Sequence, residues 1–179
     1  RLINNEINMG LGRCYVKGIQ SAKKGLYVYI PGDNTWPDES FEQLFDSIGN
    51  ADIITSYASN PEVRYYFRRI VSRLYTITLN FLFSKKMNYF NGLTIYPIEV
   101  LKTSKIESAG FGFQAEILLR AIYRGLSVKE IKLSIDDRTA SSSKAVNWKN
   151  IKNVIVTVLR VFFELRLQAH SKKIKSSSL

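Results

Sequence analysis

The segment Tyr29-Ile30-Pro31-Gly32-Asp33-Asn34-Thr35-Trp36-Pro37 places one carboxylate just past a short apolar run. Leu26 to Ile30 reads as a buried strand, and the Pro-Gly-Asp-Asn that follows is strong turn chemistry. Open α/β sheets bind ligands beyond the carboxyl ends of their parallel strands. A carboxylate there can hold Mg2+ or Mn2+ against a diphosphate, because hard cations take oxygen ligands and share them with phosphates. The same residues also read as a plain turn shaped by Asp33. Other chemistries lack their parts. The chain has one cysteine, Cys14, and one histidine, His170. That excludes an intrachain disulfide and a cysteine-based metal site. His170 sits in a Lys-rich tail, so a Ser-His nucleophile loses its base. Cys14 reads as a small core residue.

The elements that must position Asp33 follow from hydropathy spacing in the 179 residues, a length that fits one domain. Met9 to Lys24 has helical spacing at Tyr15, Val16, Ile19 and Ala22, with Gly25 beyond its last cations. After the strand and turn, a helix is expected from Pro37 to Ile48 and a strand from Ala51 to Tyr57. This helix–strand alternation predicts a parallel sheet. Arg64 to Phe83 reads as a long helix carrying Arg64, Arg68, Arg69 and Arg73, whose plain reading is an exposed basic face. A strand at Leu93 to Tyr96, a short helix to Lys102, a helix from Phe113 to Gly125 and a strand from Val128 to Ile135 follow. Asp136 to Lys144 has no regular period. Asn147 to Gln168 reads as a last helix, and Ser171 to Leu179 as a Lys/Ser-rich disordered tail. Leu2 and Ile3 look like the end of a strand or turn. With Arg1 as the first residue, the chain reads as a fragment lacking its N-terminal part.

The motifs in order resemble the family 2 glycosyltransferases, over about residues 5 to 165. Asn8-Met-Gly10-Leu-Gly12 through Lys17-Gly18 to Ala22 resembles the helix before the family's Asp-x-Asp strand. Asp33 matches the second Asp of that motif, and Pro31 stands at the first. Pro37-Asp38-Glu39 matches the helix start that follows. Ala51 to Tyr57 resembles the strand that usually ends in Ser-Arg, with Tyr57 in place of Arg. Arg68-Arg69-Ile-Val-Ser72-Arg73, then Asn80, resembles the Arg-x-x-Ser helix. Asn91-Gly92-Leu93-Thr94-Ile95-Tyr96 resembles the Ser-Gly-Phe-Arg-x-Tyr strand, with Asn88 where an Asp usually precedes it. Gly110-Phe111-Gly112-Phe113-Gln114-Ala115-Glu116 resembles the Gly-x-x-Phe-x-x-Glu segment. Glu130 to Ile135 and Arg138 to Lys144 resemble the Glu-Ile-Pro-Ile strand and the Arg-x-x-Gly-x-Ser-Lys loop, with Ser141 for Gly. The Phe113-Gln114-Ala115-Glu116 and Arg138 to Lys144 segments point to the polyprenyl-phosphate branch, which includes the dolichyl-phosphate mannose synthases.

The resemblance implies a GT-A-like α/β fold: a mixed, mostly parallel sheet flanked by helices, ending in a C-terminal amphipathic helix. It divides the chain into a partial catalytic domain (1–146), that helix (147–168) and a basic tail (169–179). It also implies inverting transfer of a sugar from GDP-mannose or a UDP-sugar to a polyprenyl or dolichyl phosphate. Asp33, Arg138 and Lys144 would carry catalysis. Asp33, Thr35, Arg138, Ser143 and Lys144 would bind the donor diphosphate, with Mg2+ or Mn2+ on Asp33. A leaving diphosphate needs its charge stabilised, which cations supply; Arg clamps a phosphate in two places and Lys acts as a point charge. Arg69, Ser72 and Glu116 would meet the acceptor phosphate, although Glu116 also reads as a helix-dipole partner and Arg138 and Lys144 as a solvated loop.

A formal charge of +11 attracts polyanions without choosing among them. A nucleic-acid module has no recognisable motif here. The last helix either packs on the catalytic domain or lies in the membrane interface, with Lys149, Lys152, Arg160, Arg166 and the tail lysines Lys172, Lys173 and Lys175 toward anionic lipid. The second arrangement suits a peripheral protein on the cytoplasmic side of a membrane. Two rivals stand beside this reading: a family 2 transferase for a surface-polysaccharide acceptor, and a non-catalytic relative.

Overall fold

The computed structural model describes residues 2–136 and 148–176, with side chains described for 2–136 and 150–167. In chain order the elements are α1 Leu11–Ser21, β1 Leu26–Val28, α2 Asp38–Asp46, β2 Ile53–Ala58, a single 3-10 turn Pro61–Val63, α3 Tyr66–Phe83, β3 Thr94–Pro97, α4 Ile98–Lys102, α5 Phe113–Tyr123, β4 Val128–Leu133 and α6 Trp148–Ser176. Each expected helix and strand from Met9 to Ile135 is present, mostly shorter by one to three residues at an end. Leu2 and Ile3 are exposed and belong to no strand. The last helix does not stop at Gln168 but continues to Ser176.

The strand order is β1-β3-β2-β4. β2 pairs with β4 in parallel, but β3 lies antiparallel between β1 and β2. The expectation of a mostly parallel sheet is therefore corrected in its pairings. β1, β2 and β4 share one direction, yet only one of the three pairings is parallel. The reason is β3, which enters the sheet from the far side and separates strands that are neighbours in sequence.

Alternation across the sheet builds two cores. Ile53 packs with Tyr15, Leu79, Phe83, Phe113, Ile117 and Leu118 under α1, α3, α5 and α6. Ile54 and Ile95 pack on the other face with Trp36, Leu44 and Leu133 under α2. Central β2 is buried from Ile53 to Ser56 because both faces are covered. Two close approaches require glycine. A Cβ on Gly12 would strike the carbonyl of Ser108, where α1 docks through the Gly12 N–H to Ala109 (2.9 Å). A Cβ on Gly92 would strike the carbonyl of Ser56, where the chain enters β3 beside β2.

Candidate active site

The carboxyl ends of β1, β2 and β4 meet at one edge. Asp33 is exposed in the turn beyond β1. Its Oδ1 accepts the Thr35 N–H at 3.4 Å, and Asn34 takes the left-handed conformation (φ 53°) that Asn tolerates better than most residues. Burial, the Asp33 charge and Cys14 all push the Tyr29 phenol up from its ordinary value, so Tyr29 lies within electrostatic reach of Asp33. The Thr35 carbonyl accepts the Asp136 N–H at 2.8 Å. One residue earlier, Ile135 is held at both its N–H and its carbonyl by the Asn60 side chain (2.9 and 2.8 Å). A run of hydrogen bonds thus ties the Asp33 turn, the end of β4 and the loop after β2 together. Arg138, Ser143 and Lys144 lie outside the described residues. Asp136, the last described residue before them, is bonded beside the Asp33 turn.

From the loop after β2 the edge opens into a groove of about 550 Å3. Its floor and walls come from Tyr57 and Ala58 at the end of β2, from α3, and from Met87, Asn88 and Tyr89. Arg64, Arg68, Arg69 and Arg73 all line it, together with Ser72. None of the lining residues is acidic, and none of the four arginines has an ion-pair partner among the described residues. Arg69 lies 6.0 Å from the centre of the Tyr66 ring. So Arg69 and Ser72 share a site, and Arg64, Arg68 and Arg73, which the sequence left as an exposed basic face, join them.

Glu116 is elsewhere. It is 1% exposed. Its Oε1 takes Arg120 (3.2 Å) and Arg160 (2.9 Å), and its Oε2 takes the N–H groups of Ser108 (2.9 Å) and Glu107 (3.3 Å). Arg120 also reaches Glu164 of α6 at 2.7 Å. Glu116 therefore belongs to an ionic knot that fastens α6 to α5, and it does not line the groove. Arg160 turns into the same knot, which corrects its assignment to a lipid surface. Two Glu/Arg pairs at i,i+4 spacing, 116/120 and 160/164, were the signal for this knot.

The outer face of α3 carries Phe67, Ile70, Leu74, Ile77 and Phe81, between 38% and 84% exposed. Their spacing of three and four residues makes one stripe, opposite the buried Thr76, Leu79 and Phe83. Ile70 and Ile77 belong both to the stripe and to the groove. On α6, Val158, Val161 and Leu165 are buried, while Ile155, Val156, Leu159, Phe163 and Leu167 are exposed. The helix thus packs on the domain with one face and leaves a second apolar face open. No helix among the described residues is long and apolar enough to cross a membrane.

For a divalent cation the described donor set is thin. No group of three His, Cys, Asp or Glu side chains gathers among the described residues. Asp33 alone fits Mg2+ or Mn2+ where the ion keeps waters and takes its remaining oxygens from a bound diphosphate.

No family model matches the chain. A polyprenol monophosphomannose synthase of Mycolicibacterium smegmatis is 28% identical over 161 residues, covering 83% of this chain and 60% of the relative. Glucosyl-3-phosphoglycerate synthase of Mycobacterium tuberculosis, in complex with Mn2+, UDP-glucose and phosphoglyceric acid, superposes with a TM-score of 0.66 at 14% identity, covering 86% of this chain and 55% of that one. The same enzyme with Mg2+ and UDP gives 0.66 at 15%, over 85% and 54%. The chain thus spans a little over half the length of the proteins it matches. It carries a GT-A-like fold and is similar in sequence to a polyprenol monophosphomannose synthase.

Proposed function

We propose that this chain is part of a glycosyltransferase that moves a sugar from a nucleotide-sugar donor to a polyprenyl phosphate at a membrane surface. The observation that carries the reading is the arginine groove, free of acids among the described residues, flanked by the apolar stripe of α3 and tied through Asn60, Ile135 and Asp136 to the Asp33 turn. A lipid phosphate has a matching division, with a dianionic head for the arginines and a hydrocarbon tail for the stripe. Burying one Phe or Leu side chain contributes about 1.5–3 kcal/mol, so a few stripe residues suffice for reversible docking.

In the reaction a phosphate oxygen of the acceptor attacks the anomeric carbon. The bond from that carbon to the donor diphosphate breaks, and the nucleoside diphosphate leaves with the electron pair, inverting the centre. The acceptor oxygen is already anionic, so no strong general base is needed. Arg69 and Ser72 hold the acceptor phosphate, with Arg64, Arg68 and Arg73 beside them. Asp33 and Thr35 face the donor diphosphate, and Arg138, Ser143 and Lys144 are assigned to it by motif. Asp33 would hold a divalent ion, which when bound would neutralise charge on the leaving diphosphate. The relative from M. smegmatis supports the lipid acceptor by its name. The enzyme from M. tuberculosis takes a soluble phosphorylated acid, and an arginine groove fits that chemistry too; the exposed stripe on α3 favours the lipid.

The test is transfer from radiolabelled GDP-mannose and UDP-sugars by the full-length polypeptide, with vesicles containing a polyprenyl phosphate. Label in the organic extract, abolished at least a hundredfold by Asp33→Ala, is the expected outcome. Label only on a water-soluble phosphorylated acceptor would replace the lipid reading. No transfer from any donor by folded protein would favour a non-catalytic relative.

A further inference from the structure

One wall of the groove is three residues of loop, and the structure shows what holds them. Ser84 ends α3 in the left-handed conformation (φ 51°), so the chain reverses sharply there. Asn80 closes the reversal. Its carbonyl accepts Lys85 N–H (3.0 Å), its Oδ1 accepts Met87 N–H (2.9 Å) and its Nδ2 donates to the Met87 carbonyl (2.8 Å). From the opposite side, Glu130 reaches out of β4. Its Oε1 accepts the N–H groups of Asn88 (2.8 Å) and Tyr89 (3.1 Å). Its Oε2 accepts the Asn88 N–H (3.0 Å) and Nδ2 (3.1 Å). Met87, Asn88 and Tyr89 are the residues that face the arginines of α3 across the groove.

We propose that Asn80 and Glu130 are positioning residues for the acceptor, setting the width of the arginine groove by tying its loop wall to α3 on one side and to the sheet on the other. The inference rests on the reading of the groove as the acceptor site. Neither residue lines the Asp33 turn. Glu130 has a second effect. A carboxylate close to four arginines that have no ion-pair partner among the described residues would compete with a phosphate for them. Both of its oxygens are instead committed to loop N–H donors, and charge-assisted bonds of this kind are about twice as strong as neutral ones. The groove therefore keeps its positive field although an acid stands behind its wall.

Glu130→Gln replaces one accepting oxygen with an NH2 group that faces N–H donors. Asn80 also lines the groove, so the variant there must add no charge: Asn80→Leu removes both side-chain bonds to Met87 and keeps the site neutral. Both should be made in the full-length polypeptide and assayed with farnesyl phosphate, a short prenyl phosphate, against a fixed nucleotide-sugar. The expected result is an acceptor KM raised about tenfold in each variant, with the donor KM and kcat within about twofold of the parent. Equilibrium dialysis with radiolabelled farnesyl phosphate should show the same tenfold loss in the absence of donor. A fall in thermal stability with unchanged acceptor KM and Kd would reduce the two residues to structural ties and overturn the proposal. An equal rise in both KM values would do the same. A parent enzyme that neither glycosylates nor binds farnesyl phosphate would overturn the acceptor reading itself.

Discussion

Two clusters of arginine sit in opposite electrostatic settings. Arg120 and Arg160 are packed between α5 and α6 with Glu116, Glu107 and Glu164 within 3.4 Å. Arg64, Arg68, Arg69 and Arg73 line a groove in which no acidic side chain is present among the described residues. The first cluster has its counter-charges built in, so it can only hold structure. The second has cations assembled without partners. Gathering like charges is unfavourable, and a bound polyanion relieves it. The lesson is that residue type did not separate a fastening from a binding site here; the presence or absence of a resident carboxylate did.

Removing one carboxylate from the knot should break that contrast most severely. Glu116→Ala takes from Arg120 and Arg160 the carboxylate they share, leaving Arg120 to Glu164 and Arg160 to Glu107, and leaves the Ser108 N–H without its acceptor. Breaking a buried pair from one side costs about 3–5 kcal/mol, a large part of a typical domain's stability. Denaturant unfolding monitored by circular dichroism should show the loss. A change below about 1 kcal/mol would mean that the knot is solvated and that its arginines differ little from those of the groove.

The groove should respond in the other sense. Arg69→Ala removes an exposed cation with no ion-pair partner among the described residues, so stability should move by no more than about 0.5 kcal/mol. Acceptor binding should weaken by about 1.5–3 kcal/mol, the scale of a hydrogen bond to a charged group, or roughly ten- to a hundredfold in acceptor KM. Arg69→Lys should recover only part of it, because an ammonium cannot form the paired contacts of a guanidinium. Equal losses in donor and acceptor KM would move Arg69 away from the acceptor.

These settings were unequally visible in the sequence. Short apolar runs and turn residues located β1, β2, β3 and β4, because local patterning dictates an element's existence. Strand direction did not follow, since β3 joins β2 and β1 through long-range pairings, Ile54 with Ile95 on one side and Leu26 with Pro97 on the other, which no local pattern encodes. Asp33, Arg69 and Ser72 were legible as types that handle phosphate, and the groove does unite Arg69 with Ser72. Glu116 was read as an acceptor residue from the resemblance, or as a helix-dipole partner; the approach of α6, from more than forty residues away, engages it in a fastening instead. The stripe on α3 was missed for another reason. The helix is apolar on two faces, and hydropathy cannot say which of Leu74 and Leu79 points inward.

The smallest expected effect uses acid to separate the two clusters. Arg120 holds the Glu164 carboxyl below its ordinary value of 4.5, first through its hydrogen bond and then through its charge, with Lys105 and Arg160 adding to it. A carboxyl depressed on folding contributes stability that is fully present above its unfolded value, here about pH 4.5. That contribution is lost as pH falls through the lower folded value. The midpoint of thermal unfolding should therefore fall more steeply below about pH 4.5 in the parent than in Glu164→Gln. The gap between them should close at the lowest pH, where both side chains are neutral. Because Glu164 keeps 28% of its side-chain exposure, water screens the pair and the gap should amount to a few degrees at most. Parallel curves over the whole range would show that Glu164 contributes no acid-sensitive stability, leaving Glu116 to hold the knot.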